Sequence, residues 1–326
     1  MAENDGKVSG EYVKDTDLER EQVLARVLQE HDLVNAQRTK RVDFLKKLES
    51  YGKKGTKTAY ISFFCSAGAS IDTDDIPAFG DVLLSVGEVD QLNLVINSPG
   101  GDGLVAEKII ELCRAYCKSF RVVVPNRAKS AATIIGLGAD QIVMGYCSEL
   151  GPIDAQVPLI VGGLIRWISA QSFIDSRTKL EERYAAAAKK KQDTRPILQQ
   201  IAGLDGPFID HCEKLMDFSR EVARKYLAKY MFSKIKPPSA QKKAIENVVT
   251  RLSSVDIFRV HGRMIDGHAA KTDLKLNVHM LTKDDPVWTT LWEYYVRADL
   301  VLSRIGGGKL IESRNEVLVR APATST

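Results

Sequence analysis

Short, nearly continuous apolar runs alternate with helically periodic segments through the middle of the chain. The runs are TAYISFFC, LNLVIN, FRVVVP and DQIVMG, and each is typical of a strand. The residues between them predict helices over about 76–86 and 104–117 and another that begins at Ser130. Strands that alternate with helices predict an α/β fold with a parallel sheet and crossover helices. Because polar residues do not interrupt these runs, the strands should be buried on both faces.

The N-terminal region has a different pattern. Residues 1–16 are polar, and residues 17–50 predict a long helix with a narrow apolar stripe among dense charge. A helix of this kind depends on packing for its stability. We therefore expect a helical arm that lies on the core or on a neighbouring subunit.

The second half of the chain is mainly helical by pattern. Long helices are predicted over 164–191 and 208–232, and the two prolines at 237–238 should break this region before one more helix. We divide the chain into a tail with a helical arm, an α/β core, a helical insertion or lid, and a C-terminal segment of strands, short helices and a tail. These four parts are 1–57, 58–161, 162–254 and 255–326.

A glycine run at 306–308 follows the last predicted helix, over 288–302. With Lys309 it has a superficial likeness to a phosphate-binding loop. It lacks the upstream glycine, the Ser or Thr after the lysine and the preceding strand that such a loop requires. We interpret the glycines as the start of the C-terminal tail.

Composition and charge argue against several classes of protein, including nucleic-acid-binding, secreted and membrane-spanning proteins. The chain has 326 residues, 44% hydrophobic and 27% charged, and its net charge of +4 gives no argument for a nucleic-acid partner. Five cysteines without paired CxxC spacing indicate reduced thiols, with Cys113 and Cys117 in the core, and we expect no metal and no cofactor. The first residues lack the apolar region of a signal peptide, and no apolar stretch has the length of a membrane span. We expect a cytoplasmic protein.

Asn97-Ser98-Pro99-Gly100-Gly101-Asp102-Gly103 lies where a buried strand turns into a helix. The paired glycines permit positive φ angles and the close approach of another backbone. The N–H groups of such a turn can face outward and stabilise a developing oxyanion. An ordinary glycine-rich turn explains this segment equally well.

Pro125-Asn126-Arg127-Ala128-Lys129-Ser130-Ala131-Ala132-Thr133 also follows a buried strand and opens a helix. At this position the helix N-terminus would stabilise negative charge on the Ser130 oxygen, and the Ala131 N–H could donate to an oxyanion. The alternative is that Ser130 is only an N-cap, which is a frequent role of serine.

Three motifs in order carry a resemblance to a known family. They are INSPGG, then AKSAATIIGLGADQIVMG, then SELGPIDAQ. Together they resemble the Clp-fold serine peptidases, which include the Clp proteolytic subunit and signal peptide peptidase A, and within them the serine dehydrogenase proteinase family. The likeness covers residues 92–156 well and 38–62 and 261–278 loosely. It implies the Clp/crotonase-like fold, with Ser130 as nucleophile and the amides of Gly100, Gly101 and Ala131 as oxyanion hole.

The general base is not evident from the motifs. The histidine that follows the serine in the Clp proteolytic subunit has no counterpart here, because the corresponding segment is Asp154-Ala155-Gln156. Signal peptide peptidases use a lysine further along the chain, and Lys179 lies in that range. A lysine base must be partly desolvated so that its pKa falls, whereas the charged surroundings of Lys179 suit a solvated helix face.

Three further residues are lower-ranked candidates for a role at the site. Lys129 adjoins the nucleophile, although its side chain should point away from Ser130. His261 lies in a segment that resembles an HGR motif of the family, and it could equally be a structural histidine. Asp154 could orient a partner or substrate, or could simply cap a turn.

The resemblance predicts a homo-oligomeric serine endopeptidase that cleaves peptide or protein substrates through an acyl-enzyme on Ser130. One alternative is an inactive assembly protein that keeps the fold without the base. Another is a crotonase-type enzyme acting on an acyl-CoA thioester, which would not need the serine. We predict no nucleic-acid partner and no membrane span, and a peripheral membrane partner is compatible with the sequence.

Overall fold

The computed structural model of the protein describes residues 35–162, 164–253 and 264–320. Its helices are α1 (Asn35–Ser50), α2 (Asp75–Val86), α3 (Gly103–Ala115), α4 (Ala131–Leu137), α5 (Ala170–Lys189), α6 (Arg195–Ala202), α7 (Gly206–Lys229), α8 (Pro238–Ser253), α9 (Gly267–Thr272) and α10 (Pro286–Arg304). Its strands are β1 (Thr58–Cys65), β2 (Val89–Asn97), β3 (Cys117–Val124), β4 (Arg127–Ala128), β5 (Gln141–Met144), β6 (Glu149–Leu150), β7 (Gln156–Val161), β8 (Leu164–Ser169), β9 (Ile265–Asp266), β10 (Val278–Met280), β11 (Lys309–Ser313) and β12 (Val317–Arg320).

A seven-stranded sheet in the order β10-β5-β3-β2-β1-β11-β12 forms the centre of the fold. Neighbours from β10 to β1 are parallel, and helices α2, α3 and α4 connect the strands between β1 and β5. The α/β fold class and the four strands predicted from the apolar runs are confirmed. Strands β11 and β12 extend the sheet in antiparallel fashion next to β1.

The central strands are buried on both faces, which explains their continuous apolar runs. In β2, Leu94 and Ile96 belong to the apolar core on one side of the sheet, and Val95 belongs to the core on the other. In β3 the same alternation separates Val122 from Val123. The first core is closed by α2, α3, α4, α7 and α8, and the second by α1 and α10. Both faces of the central strands are therefore covered by an apolar core, as expected for parallel strands.

The described part of the predicted N-terminal arm lies on the protein's own core. Helix α1 buries Leu45 and Leu48 against the layer that contains α10. Arg41 of α1 is also buried, and its Nε and Nη2 atoms donate to the Glu312 carboxylate of β11 at 3.0 and 2.9 Å. Both packing and a charge pair therefore fix α1 on the sheet. The remainder of the predicted arm, 17–34, lies outside the described residues.

Two elements differ from the sequence prediction. Residues 164–169 form strand β8, not the start of a helix, and they pair with β7 in an antiparallel hairpin. Gly162, at a φ of 60°, allows the tight turn between the strands. Helix α5 therefore begins only at Ala170, and the domain boundary predicted at 161 falls inside this hairpin.

The glycine run does not begin a loose tail. Gly306, Gly307 and Gly308 have φ angles of 81°, 104° and 104°, and the backbone reverses there from α10 into β11. These angles are ones that residues with a Cβ rarely adopt. Residues 309–320 of the expected tail instead add two strands to the main sheet, and the first of them, β11, is buried.

Candidate active site

The two glycine- and serine-containing motifs meet at the carboxyl end of the parallel strands. Ser98 follows β2, and its N–H donates to the Arg127 carbonyl at 3.0 Å. The Lys129 N–H in turn donates to the Ser98 carbonyl at 3.1 Å. Because β2 and β3 are neighbours in the sheet, the turns that follow them lie side by side. Segments separated by about thirty residues in sequence thus form one site.

Ser130 has an unusual backbone conformation at the start of α4. Its φ is 49° and its ψ is −117°, a region that residues other than glycine seldom occupy. Such strain costs on the order of 1–3 kcal/mol and persists only where the surrounding structure imposes it. The Ser130 side chain makes no capping hydrogen bond to the helix. Its hydroxyl is therefore not used for the structural task that serine usually performs at this position.

Gly100 and Gly101 allow the backbone to pass very close to Ser130 and to Ile71. A Cβ atom on Gly100 would lie 2.8 Å from Ser130 Cβ, and one on Gly101 would lie 2.3 Å from the Ile71 carbonyl oxygen. Both glycines have positive φ, 111° and 147°. No residue with a side chain would fit this path without displacing its neighbours.

Two backbone N–H groups at the site lack an acceptor within the described parts of the chain. They belong to Gly101 and to Ala131, the residue after Ser130. The Gly100 N–H, by contrast, donates to Ser98 Oγ at 3.1 Å. In this conformation the predicted oxyanion hole thus has two open donors and a third that is already engaged. Open, preorganised N–H groups beside a nucleophile are what stabilisation of an oxyanion requires.

The start of α4 is held by buried side-chain hydrogen bonds. Thr133 Oγ1 donates to the Ala128 carbonyl at 2.7 Å and accepts from the Gly151 N–H at 3.1 Å. Ser148 Oγ accepts from the Gly145 N–H at 2.7 Å and donates to the Val124 carbonyl. The Thr133 contacts tie the helix start to the segment after β6, and the Ser148 contacts tie the segment after β5 to the end of β3. The sequence motifs contain both residues, but nothing in the pattern distinguishes them as supports of the site.

Lys129 is engaged in contacts away from the Ser130 side chain. Its Nζ atom lies 2.9 Å from Glu149 Oε1 and donates to the Leu150 carbonyl at 3.2 Å. Lys129 and Glu149 are both largely shielded from solvent, which stabilises this pair relative to an exposed one. The Lys129 amine is therefore engaged by Glu149 and Leu150.

The remaining predicted site residues are Lys179, Asp154 and His261. Lys179 is exposed on α5 and makes no hydrogen bond or ion pair within the described residues. Asp154 is buried, with 2% of its surface exposed. His261 lies outside the described residues. The structure brings together Ser130, Gly100, Gly101 and Ala131, and it does not bring Lys179 to them.

A cysteine near the site is not a competing nucleophile. Cys65 is buried at the end of β1, and it lies close enough to Ser98 for a hydrogen bond between the two side chains. Burial raises the pKa of the Cys65 thiol to about 12. Since the thiolate is the reactive form of cysteine, Cys65 stays protonated and unreactive at neutral pH.

The fold and the site together define a class of protein. An α/β sheet that presents a strained serine at a helix start, beside open backbone amides, has the arrangement used for acyl transfer. Residues 75–172 match the family model described as ClpP-like SDH-type serine proteinase. The matched segment contains both motifs and Ser130, and it covers less than a third of the chain. The family indicated by the three motifs is confirmed over this segment, and the family is one of serine proteinases.

Two curated relatives match a shorter segment. They are the uncharacterised proteins MJ0137 and MJ1495 of Methanocaldococcus jannaschii, which are 41% and 33% identical over 66 residues. Each match covers 20% of this chain and 23% of the relative. The chain thus spans less than a quarter of the length of these relatives, and their names state no activity.

Some solved structures share a distant likeness. Two are alanine mutants of the 1510-N membrane-bound stomatin-specific protease, one of them in complex with a substrate peptide, and a third is ClpP1 from Listeria monocytogenes. In that order, identities are 15%, 14% and 19%, and TM-scores are 0.28, 0.28 and 0.24. The likeness covers 43%, 72% and 45% of this chain and 66%, 96% and 80% of the other chains. Similarity of this size supports no conclusion about activity.

The described residues contain neither a membrane-spanning helix nor a cluster that could hold a metal ion. No described helix is both long enough and apolar enough to cross a membrane. Over the same parts of the chain, no cluster of three or more His, Cys, Asp or Glu side chains is arranged to hold a metal ion.

Proposed function

We propose that the protein is a serine peptidase in which Ser130 attacks the peptide carbonyl and forms an acyl-enzyme. The observation that carries this proposal is the strained backbone of Ser130 next to the open N–H groups of Gly101 and Ala131. A serine that only capped a helix would need neither the positive φ nor the two free donors. The match to a serine proteinase family supports the same reaction class.

The reaction follows from this geometry. Ser130 Oγ bonds to the carbonyl carbon while the carbonyl oxygen becomes an oxyanion and accepts hydrogen bonds from Gly101 and Ala131. The serine proton passes to a general base, which then donates it to the leaving amine as the C–N bond breaks. A water molecule subsequently attacks the acyl carbon, and the Ser130 hydroxyl is regenerated.

We propose Lys179 as the general base. This role requires the Lys179 amine to reach Ser130, which it does not contact in the single chain. In the single chain Lys179 is exposed on α5 and makes no hydrogen bond or ion pair within the described residues. A general base must lie within hydrogen-bond reach of the proton that it accepts. Substrate or a second copy of the chain must therefore cover α5 and bring the amine to Ser130.

A second function has one observation in its favour. The exposure of Lys179 and the absence of a contact between it and Ser130 would also suit an assembly protein without catalytic activity. Such a protein would retain residues 98–102, here called the oxyanion loop, as a structural turn between β2 and α3. Its Ser130 hydroxyl would lack a base and would not react as an activated nucleophile.

A fluorophosphonate probe tests the two functions. We expect the 326-residue chain to be labelled at Ser130, as located by peptide mass spectrometry, and to cleave fluorescein-labelled casein. The Ser130→Ala variant should lose both properties and keep its melting temperature, because the hydroxyl makes no capping bond. Ser176→Ala is a matched control, since Ser176 is an exposed serine in the middle of α5, and it should be labelled like the wild type. An unlabelled wild-type protein would refute the peptidase proposal and favour the assembly function.

A further inference from the structure

The conformation of the oxyanion loop is set by a neighbouring segment, the loop between β1 and α2. Ile71 forms a bridge with Gly101: its N–H donates to the Gly100 carbonyl at 2.8 Å, and its carbonyl accepts from the Asp102 N–H at 2.9 Å. The Gly101 peptide is therefore held on both sides by a single residue. Ile71 is only 1% exposed. Any displacement of Ile71 would turn the open Gly101 N–H away from its present direction.

The segment that contains Ile71 is held in turn by Lys309. The Lys309 Nζ atom lies 2.9 and 3.0 Å from the two carboxylate oxygens of Asp75 and 2.6 Å from Asp72 Oδ2. The Asp72 N–H donates to Asp75 Oδ2 at 2.9 Å. At the other end of the loop, Ser66 and Gly308 exchange two hydrogen bonds of 2.9 Å. The loop is thus fastened to the residues just before β11 and to its first residue.

Two of the three charges in this cluster, Lys309 and Asp75, are buried, whereas the Asp72 side chain is half-exposed. Lys309 is 6% exposed and Asp75 is 0% exposed. Burial raises the pKa of the Asp75 carboxyl although Lys309 opposes this effect. A buried lysine that contacts two carboxylates is costly to remove because its partners would be left unpaired. The cluster therefore has a defined geometry and not the mobility of a surface pair.

We infer that Lys309 is a positioning residue for the oxyanion hole, acting on Gly101 through Asp75, Asp72 and Ile71. The inference rests on the proposed peptidase function for its effect on rate. Lys309 does not touch the substrate. Its ammonium group fixes the loop on which the Gly101 peptide lies, so the N–H is already oriented when the oxyanion forms.

A second buried ion pair, on the opposite face of strand β11, provides a matched control. Alternate residues of β11 point to opposite sides: Ile311 lies in the same core layer as α2, whereas Leu310 and Glu312 lie in the layer that contains α10. Glu312 pairs there with Arg41 and is also 0% exposed. This second pair resembles the Lys309 cluster in burial and charge but contacts no part of the oxyanion loop.

The experiment compares two double variants of the 326-residue chain that remove both charges of each pair. The test variant is Lys309→Met with Asp75→Asn. The asparagine side chain retains an oxygen that can accept the hydrogen bond from the Asp72 N–H. The control is Arg41→Met with Glu312→Gln. For each folded protein we would measure kcat and KM separately, the rate of fluorophosphonate labelling, and hydrogen exchange of the peptides that contain Ile71 and Asp102.

We expect the test variant to lose about 10- to 100-fold in both kcat and labelling rate with KM changed less than about twofold, because misdirecting one donor affects the transition state selectively. Amide exchange at Ile71 and Asp102 should accelerate. The control should lose stability but keep kcat, labelling rate and exchange at these two residues.

A folded test variant with wild-type exchange at Ile71 and Asp102, or with losses that the control shows equally, would overturn the inference. If the test variant is too unstable to assay, the single variant Lys309→Arg takes its place. It keeps the charge but places a larger planar group in the buried site, and it should show the same selective loss. Failure of the wild type to label at Ser130 would instead contradict the peptidase function, and the exchange measurement would still decide the role of Lys309.

Discussion

A single methyl group added at Gly101 would test the oxyanion loop directly. In Gly101→Ala the new Cβ would lie 2.3 Å from the Ile71 carbonyl oxygen and 2.4 Å from the Ile71 nitrogen. Ordinary contacts between such atoms begin near 3.4 Å, so the two segments must separate by roughly 1 Å. The alanine would also have to keep a φ of 147°, which disfavours relaxation in place.

The magnitude of the effect follows from this displacement. A shift of about 1 Å in a group that orients the reaction costs on the order of 10²-fold in rate, and loss of one oxyanion donor costs about 10²–10³-fold. We therefore expect kcat to fall by about 10²–10³, equivalent to about 2.7–4 kcal/mol of transition-state stabilisation. Weakening the two hydrogen bonds of Ile71 should reduce the free energy of unfolding by about 1–3 kcal/mol.

The assay measures kcat, the labelling rate at Ser130 and the melting temperature on the same preparation. Gly80→Ala is the matched control, because a Cβ at Gly80 in helix α2 meets no atom within 4 Å. That variant should be fully active and more stable by about 0.5–1 kcal/mol, since alanine is favoured over glycine inside helices. A folded Gly101→Ala protein with wild-type kcat would refute the assignment of its N–H to the oxyanion hole.

Three further predictions concern the base, the assembly and the response to pH. Lys179→Arg should reduce turnover as much as Lys179→Ala, because arginine keeps the charge but does not release a proton; full activity of the arginine variant would exclude proton transfer by Lys179. Light scattering should give a mass above the 36.1 kDa of one chain, and a purely monomeric protein would contradict the predicted homo-oligomer. Stability should fall as pH rises from about 9 to 12, because burial raises the pKa of Cys65 and Tyr60 to about 12 in the folded protein. The unfolded chain loses these protons first and is favoured by alkali; a flat denaturation midpoint over that range would count against the buried thiol and phenol.

The parts of the fold that were predicted correctly are those in which local pattern and burial coincide. The runs LVI and VVV have no polar alternation because their residues face two apolar layers, so the sequence alone indicates doubly covered parallel strands. Helices α3 and α4 were predicted near their observed positions because each follows such a strand. These are local properties of the chain.

The misassigned segments depend on partners that are distant in sequence. The local pattern predicts a helix from residue 164, but the strand conformation of 164–169 depends on pairing with β7. The glycine run before Lys309 likewise predicts the start of a tail. The strand of Lys309 pairs with β1, more than two hundred residues earlier in the chain, and no local pattern reports such a pairing.

The candidate residues for the chemistry can be recognised from local sequence. The sequence indicates a serine before a helix and a paired glycine turn after a neighbouring strand, because these residue types and their order are local features. The geometry comes from tertiary packing: it includes the positive φ of Ser130, the open N–H groups of Gly101 and Ala131, the exposure of Lys179 and the buried contacts of Lys309. Each of these depends on how segments remote in sequence pack against one another, since close packing imposes strain and leaves donors open in ways that no single segment specifies.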